Sequence, residues 1–210
     1  MELDREPWIE GEVRKGQRHD LLFWSGGKDS FLALRKLQAD RRNPVVLCTT
    51  FDGRTERVSQ QELTLETIQR HAAGLGIPVL LIPLYPGGDY LDSVAAGLTV
   101  LRRHVSVDRF VFGDLHLRDI RDWREQAFAS LANKAGANLY FPLWHQPYDQ
   151  LLADLAASGA TCRVSAVTAD ALSGVVSVGD VFGPELIGRL PDGVDAFGEH
   201  GEFHTGLELG

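Results

Sequence analysis

A six-residue glycine-rich segment, SGGKDS at residues 25–30, lies between two segments of different periodicity. Residues 19–24 form a short apolar run, which is typical of a buried strand. Residues 29–39 repeat apolar side chains near helical spacing. We therefore predict a strand, a tight turn and a helix in direct succession, the connection from which parallel α/β sheets are built.

The same alternation continues as far as Gly136. Further strands are predicted at residues 44–51, 78–84 and 109–112, and further helices at 60–74 with Ser59 as the cap, 88–104 and 118–135. Strands that alternate with helices of this length imply a parallel sheet covered on both faces. The predicted fold class is α/β, a doubly wound parallel sheet of Rossmann-like type.

After Gly136 the alternation becomes less regular. Strands are predicted at residues 138–144 and 161–168, and helices at 148–157 and 184–190. We therefore divide the chain into a polar N-terminal segment at residues 1–18, an α/β domain at 19–136 and a smaller C-terminal α+β lobe at 137–210.

The composition excludes several classes of protein. With 21 Lys and Arg against 29 Asp and Glu, the 210-residue chain has a formal net charge of -8, which argues against nucleic-acid binding through long phosphate contacts. No segment approaches the roughly 18 apolar residues of a membrane helix, and residues 1–16 lack the apolar part of a secretory signal, so we expect a cytoplasmic protein. Cys48 and Cys162 are too far apart for a CxxC motif, and we expect both in the core.

The residue types of the SGGKDS segment favour an anion site. Two glycines let backbone N–H groups approach a phosphate closely, and the following helix adds its positive N-terminal end. Lys28 adds a full positive charge, whereas Asp29 is better suited to a magnesium ion that accompanies the phosphate. The residues predicted to bind the phosphates are Ser25, Gly26, Gly27, Lys28, Asp29 and Ser30, with Asp29 as the metal ligand.

The segment is neither a Walker A loop, which would need glycine in place of Leu22, nor a GxGxxG loop. All six residues match the SGGKDS signature of the PP-loop ATP pyrophosphatases, and the chain resembles that superfamily. The resemblance implies a fold of adenine nucleotide alpha hydrolase type, with residues 19–136 as the nucleotide-binding domain and ATP and Mg2+ as cofactors. It further implies that the loop holds the β- and γ-phosphates as a leaving pyrophosphate while the substrate is adenylated at the α-phosphate.

A second segment, residues 112–125, follows a predicted strand, so it should reach the same sheet edge as the glycine-rich loop. Its Gly113-Asp114 pair resembles the GD-containing segment of the diphthine–ammonia ligase family. That family amidates a carboxylate on a translation factor at the expense of ATP.

Three arginines, Arg118, Arg121 and Arg124, follow at helical spacing and form one ridge. Such a ridge can meet phosphate or an acidic substrate. The alternative is a solvated helix face, because acidic residues interleave with the arginines.

A third segment, residues 195–205, resembles the terminal GE-x-GE(F/Y)-x-T motif of the same family, which closes over the substrate side. Its Glu199 and Glu202 can hold ammonium, a cationic substrate or a metal. His200 and His204 are four residues apart, but the glycines of the segment argue against the helix that would pair them on a metal. The chain has alanine and phenylalanine where family members often have proline and cysteine, so any role of that cysteine is absent.

Together the three segments predict an ATP-dependent amide-forming ligase of the diphthine–ammonia ligase type, with ATP, a carboxylate-bearing substrate and ammonia as partners. Lys28 would stabilise the departing pyrophosphate. Asp114 would complete the metal site or position the nucleophile, and Glu199 or Glu202 would hold ammonium. Further nucleotide contacts are assigned to Thr49, Thr50, Phe51, Gly113 and Arg118, with adenine at the end of the second strand.

Two alternative functions fit many of the same residues. A sensor that holds ATP or AMP without turnover needs the phosphate loop but not the acidic segment. An RNA-modifying adenylating enzyme needs a basic face, for which the sequence offers Arg102, Arg103, Arg109 and the arginine ridge. A homodimer is expected from the habit of the superfamily.

Overall fold

A six-stranded sheet forms the centre of the computed structural model, which describes residues 5–59 and 61–209. Its strands, in chain order, are β1 (Trp8–Glu10), β2 (Arg18–Phe23), β3 (Val45–Asp52), β4 (Val79–Leu84), β5 (Ser106–Val111) and β6 (Asn138–Tyr140). In space they follow the order β1-β4-β3-β2-β5-β6, with β1 antiparallel to β4 and the other neighbouring pairs parallel. The strand that leads into the SGGKDS segment, β2, therefore lies between β3 and β5 in the middle of the sheet.

Helices cover both faces of this sheet. They are α1 (Lys28–Asp40), α2 (Leu65–Leu75), α3 (Tyr90–Leu101) and α4 (Arg118–Ala135). Buried side chains of α1 and α2 pack on one face, and those of α3 and α4 pack on the other. The predicted α/β fold with a doubly wound, Rossmann-like sheet is confirmed. Across the described residues, no helix combines the length and the apolar character that crossing a membrane requires.

The predicted start of the second helix is wrong. Helix α2 begins at Leu65, and the Thr64 side chain caps it by accepting a hydrogen bond from the Thr67 N–H at 3.2 Å. The residues before Thr64 form turns and short antiparallel bridges rather than helix. Ser59 is therefore not the cap, and Gln60, the predicted first residue, lies outside the described residues.

Other boundaries differ by a few residues. Asp89 caps α3 by accepting a hydrogen bond from the Asp92 N–H at 2.9 Å, so that helix begins later than predicted. Strand β6 ends at Tyr140 because Pro142 has no N–H to continue the pairing and the chain turns there. Strand β5 begins at Ser106, three residues before the predicted start.

Strand β1 was not predicted, because it lies in the segment that was interpreted as polar. It pairs with the edge of β4 in the register Trp8 to Leu81. The Trp8 ring packs edge-on against Phe51, with 5.8 Å between the ring centroids. Three residues are too few to reveal the alternation of a strand, so only the tertiary contact identifies it.

The C-terminal part contains a second, two-stranded antiparallel sheet. Its elements are α5 (Tyr148–Ser158), β7 (Thr161–Val167), a 3-10 turn (Asp170–Leu172), α6 (Pro184–Ile187) and β8 (Phe203–Glu208). Helix α6 is shorter than predicted, and β8 was not predicted. Buried side chains of this sheet belong to the same cluster as those of α1 and α2. The boundary between residues 136 and 137 stays a prediction.

Arg109 is buried at the end of the sheet opposite the SGGKDS segment. Its Nε donates to Asp20 Oδ1 at 2.9 Å, and its Nη2 donates to Asp40 Oδ2 at 2.9 Å. The hydrogen bonds to Asp20 raise the pKa of the Arg109 guanidinium. Arg109 therefore does not contribute to a basic face, as the RNA-modifying alternative required, because its charge is matched internally.

Candidate nucleotide-binding site

The SGGKDS segment connects β2 to α1 and leaves its backbone open to a ligand. Gly27 is the N-cap residue of α1 and supplies no side-chain cap. The first bond within the helix runs from the Phe31 N–H to the Gly27 carbonyl at 3.1 Å. In the described part of the chain, the N–H groups of Asp29 and Ser30 have no acceptor. They lie where the positive end of a helix attracts an anion.

Strand β8 runs directly beside this loop. The Lys28 N–H donates to Thr205 Oγ1 at 3.1 Å, and the Leu207 N–H donates to the Gly26 carbonyl at 2.8 Å. Glycine is needed for so close an approach, since a Cβ on Gly27 would lie 2.9 Å from the Thr205 carbonyl oxygen. The first and third segments singled out in the sequence are thus in direct contact.

The Lys28 side chain points away from solvent, with only 3% of its surface exposed. Its Nζ lies 2.9 Å from Asp29 Oδ2. It also lies 5.3, 5.4 and 5.9 Å from the ring centroids of Phe182, Phe197 and Phe203. Phe197 and Phe203 belong to the third segment singled out in the sequence, but their contact with Lys28 was not predicted, and Phe182 was not singled out.

The second segment also reaches this edge of the sheet, as predicted. A Cβ on Gly113 would lie 3.0 Å from the Asp29 carbonyl oxygen, so the glycine packs against the first turn of α1. Asp114 forms an ion pair with Arg124, with 2.7 Å between Oδ2 and Nε. Burial raises the pKa of Asp114 and the neighbouring Asp29 adds to the rise, while Arg124 opposes it.

The three arginines of the ridge on α4 make different contacts. Arg124 pairs with Asp114, and its guanidinium lies 4.6 Å from the Phe112 ring centroid. Arg121 pairs with Glu125 at 2.8 Å. Arg118 is exposed at the start of the helix and makes no ion pair within the described residues. Arg118 is thus the arginine of the three that remains open to an anionic ligand.

Asp195 and Glu202 fix the shape of the acidic loop before β8. Asp195 Oδ1 accepts hydrogen bonds from the N–H groups of Phe197 and Glu199, at 2.8 and 3.1 Å. Glu202 Oε1 accepts from the Asp195 N–H at 2.9 Å, and its Oε2 accepts from the His200 N–H at 3.0 Å. Both carboxylate oxygens of Glu202 therefore accept hydrogen bonds from the backbone of the loop. Of the two glutamates, Glu199 is thus the better candidate to bind a ligand.

Glu199 is half-buried among the charges of the loop. Burial raises the pKa of Glu199 to about 7, and Asp29, Asp195 and Asp114 add to the rise while Lys28 opposes it. A carboxyl group with that pKa can accept and return a proton near neutral pH.

Comparison with known families agrees with this geometry. A family model described as the diphthamide synthase N-terminal domain matches residues 19–134. The chain belongs to this family. Diphthamide synthase N-terminal domains are part of the PP-loop ATP pyrophosphatase family, and the matched residues contain both the SGGKDS loop and the Gly113-Asp114 segment. No curated protein matches the chain.

The acidic loop and β8 lie beyond the residues that match the diphthamide synthase domain. Their relation to the site therefore rests on the contacts of Thr205 and Leu207 with the loop. His200 lies in the acidic loop and His204 on β8, so the two are not on a helix, as the glycines of the segment predicted. Within residues 5–59 and 61–209, no group of three or more His, Cys, Asp or Glu side chains is arranged to hold a metal.

Tyr148 also lies in the site, although the sequence did not predict it. Its hydroxyl donates to Asp195 Oδ2 at 2.9 Å and lies 3.1 Å from His116 Nδ1. Burial and the Asp195 carboxylate raise the pKa of Tyr148, so it stays a hydrogen-bond donor. The two partners lie far from Tyr148 in sequence, and no local pattern connects them. This network links the loop after β5, the start of α5 and the acidic loop.

The three residues assigned to the adenine contact, Thr49, Thr50 and Phe51, differ in whether their groups are available to bind a ligand. Thr49 donates its hydroxyl to the Trp24 carbonyl at 2.6 Å, and the Phe51 ring is buried against Trp8. Pairing between β2 and β3 ends at Cys48, whereas β3 continues to Asp52. Backbone groups near Thr50 therefore extend past the end of β2. The side chains of Thr49 and Phe51 are instead engaged in contacts within the core.

The PP-loop family generally binds ATP with Mg2+, and Asp29 has the chemistry to receive the ion. Its Oδ1 is buried and has no hydrogen-bond partner in the described structure. Mg2+ that travels with a nucleotide needs only one or two protein carboxylates, since phosphate oxygens and water supply the remaining ligands. Asp29, next to the open N–H groups of α1, fits that requirement.

Both cysteines are buried and free of disulfide bonds. Burial raises the pKa of each thiol to about 12. A thiol with that pKa is a poor nucleophile at neutral pH. The predicted core role of Cys48 and Cys162 agrees with this environment.

Proposed function

We propose that the chain is an ATP-dependent amide-forming ligase of the diphthine–ammonia ligase type. A carboxylate oxygen of the substrate attacks the α-phosphorus of ATP, the bond to the bridging oxygen breaks, and pyrophosphate leaves with the electron pair. Ammonia then forms a bond to the acyl carbon, AMP leaves with the electron pair of the carbon–oxygen bond, and the nitrogen loses a proton. The products are an amide, AMP and pyrophosphate.

The observation that carries this proposal is the contact between β8 and the phosphate loop. Thr205 and Leu207 bind the backbone of Lys28 and Gly26, and the acidic loop directly precedes that strand. A sensor that only holds a nucleotide does not require a half-buried carboxyl group with a pKa near 7 at this place. An amide-forming enzyme can use such a group, because the nitrogen must lose a proton during the reaction.

Each part of the site has a role in this reaction. The open N–H groups of Asp29 and Ser30 bind the β- and γ-phosphates, and Lys28 stabilises the charge on the departing pyrophosphate. Glu199 accepts the proton from the attacking nitrogen. Asp114 positions Arg124 beside the same edge. When bound at Asp29, Mg2+ supplies neutralisation of phosphate charge.

The test is the identity of the products. Purified protein is incubated with ATP, Mg2+, ammonium and a panel of carboxylates, and AMP, ADP, phosphate and pyrophosphate are quantified. We expect AMP and pyrophosphate in equal amounts. Formation of ADP and phosphate instead, or tight ATP binding with no turnover across the panel, would contradict the proposal.

Lys28→Ala provides a variant test of the phosphate loop. We expect ATP binding to weaken by about 10-fold or more, because a charge-assisted contact to the phosphates is lost. Lys36→Ala is the matched control, since Lys36 lies on the same helix away from the loop. Calorimetric titration with ATP and Mg2+ measures both, and equal affinities would remove Lys28 from the site.

A further inference from the structure

The three rings around Lys28 form a defined cation site, here called the phenylalanine cage (Phe182, Phe197 and Phe203). All three rings are buried, and the Phe182 and Phe197 centroids lie 5.2 Å apart at an interplanar angle of 75°. Tyr148 stacks on Phe197 with 4.2 Å between ring centroids. The rings are thus held in place by their own packing rather than by the lysine.

Such an arrangement favours a compact positive charge. The faces of aromatic rings attract cations within about 6 Å of the ring centroid, and more strongly where water is excluded. Asp29 Oδ2 lies 2.9 Å from the Lys28 Nζ and adds a carboxylate to the cage. Glu199 is a further acidic neighbour of the same ammonium group. Rings and carboxylates together match a primary ammonium ion.

The same ammonium group has a second task under the proposed function. To stabilise a departing pyrophosphate, the Lys28 Nζ would turn from the cage toward the phosphates beside the first turn of α1. Once the lysine turns, the cage presents three buried ring faces with no cation among them, and such faces attract a cation.

We propose that the phenylalanine cage is the binding site for ammonium, the second substrate, and that Lys28 occupies it while no nucleotide is bound. The inference rests on the proposed function. Ammonium then binds after ATP, next to Glu199, which removes the proton that converts it to ammonia; the second proton, lost by the nitrogen after attack on the acyl carbon, passes to water. The nitrogen would leave the cage only as neutral ammonia, which the ring faces no longer hold.

The cage can be tested without any turnover. Lys28→Ala removes the internal cation, so the cage should bind an added alkylammonium ion such as n-propylammonium. We expect n-propylammonium to raise the melting temperature of Lys28→Ala in a saturable way and to have no such effect on the wild-type chain. Propan-1-ol, which has a similar shape without the charge, should not reproduce the effect.

The cage residues supply the controls. Adding Phe197→Leu to Lys28→Ala should weaken n-propylammonium binding by about tenfold, because one ring face is lost. Adding Phe141→Leu should leave it unchanged, since the Phe141 ring lies under Arg121 and outside the cage. The proposal is overturned if folded Lys28→Ala binds n-propylammonium no better than wild type, or if both double variants lose binding equally.

A second measurement uses the wild-type chain, in case Lys28→Ala does not fold. Ammonium binding is titrated with and without an ATP analogue whose α–β bond cannot be cleaved. We expect ammonium binding only with the analogue, and about tenfold weaker ammonium binding in Phe197→Leu. Ammonium binding that ignores the analogue would overturn the proposal.

These outcomes separate the cage from the ligase reaction. If the cage binds n-propylammonium but no AMP and pyrophosphate form with any carboxylate, the proposed function fails and the cation site remains. If AMP and pyrophosphate form and the KM for ammonium is unchanged in Phe197→Leu, the function stands and the cage is overturned.

Discussion

Among the single residues of the site, Glu199 makes the stability of the folded chain depend on pH. Its pKa is raised from 4.5 to about 7 by burial and by Asp29, Asp195 and Asp114, with Lys28 opposing. The folded state therefore holds a proton on Glu199 between these pH values that the unfolded state has lost. Because the native state binds more protons, the stability of the fold falls as pH rises from about 4.5 to 7.

Glu199→Gln should remove this dependence. We expect the variant to match wild type near pH 4 and to exceed it above pH 7 by about 2 kcal/mol, a value reduced for the partial exposure of the carboxyl group. Urea unfolding at a series of pH values measures the difference. Glu185→Gln, an exposed change on α6, should give a difference that does not vary with pH. A pH-independent difference for Glu199→Gln would contradict the prediction.

A substitution at Gly27 tests whether the close approach of β8 to the loop requires glycine. In Gly27→Ala the new Cβ would lie 2.9 Å from the Thr205 carbonyl oxygen, and a backbone atom cannot move aside easily. We expect a loss of about 1–3 kcal/mol in unfolding free energy together with weaker ATP binding. Gly183→Ala, where a Cβ meets nothing within 4 Å, should cost less than about 0.5 kcal/mol. Similar losses in both variants would show that steric contact is not the cause.

At the scale of elements, β8 is the strand that ties the C-terminal part to the phosphate loop. Thr205→Val keeps the side-chain shape and removes the oxygen that accepts the Lys28 N–H. We expect a loss of about 1 kcal/mol in unfolding free energy and faster hydrogen exchange at the Leu207 amide. Thr161→Val on β7 is the control, because Thr161 makes no side-chain hydrogen bond in the described structure. Unchanged exchange at Leu207 would contradict the role of β8.

Local pattern accounts for the elements that the sequence predicted well. The β2–loop–α1 unit was predictable because the apolar run, the glycines and the helical spacing are adjacent in the chain. The contact between Lys28 and Thr205 was not, since these residues are 177 positions apart. The resemblance of residues 195–205 to a terminal motif indicated that they belong to the site, but not that the following residues form a strand against the loop. The phenylalanine cage could not be predicted from the sequence, because its three rings meet only in the folded chain.

At the scale of the whole molecule, the two sheets share one hydrophobic core. Phe203 and Leu207 of β8 and Cys162 of β7 belong to the same buried cluster as Leu22 of β2 and Phe31 of α1. Elements that share a core lose their packing together. We therefore expect the chain to unfold as one cooperative unit.

Scanning calorimetry checks this expectation. A single transition, with equal calorimetric and van't Hoff enthalpies, is the expected result. Two separable transitions would contradict it and would favour the predicted division near residue 136 as a true domain boundary. Intrinsic fluorescence of the four tryptophans offers an independent probe that should follow the same curve.

The bond between the Leu207 N–H and the Gly26 carbonyl joins the two halves of the site through main chain alone. A nucleotide that shifts Gly26 would therefore displace the strand that carries Thr205, and a ligand beside Glu199 that shifts this strand would displace the loop. Thermodynamic linkage requires these effects to be equal: the factor by which ATP changes the affinity for that ligand is the factor by which the ligand changes the affinity for ATP. Titrating each in the presence and absence of the other must return one coupling constant.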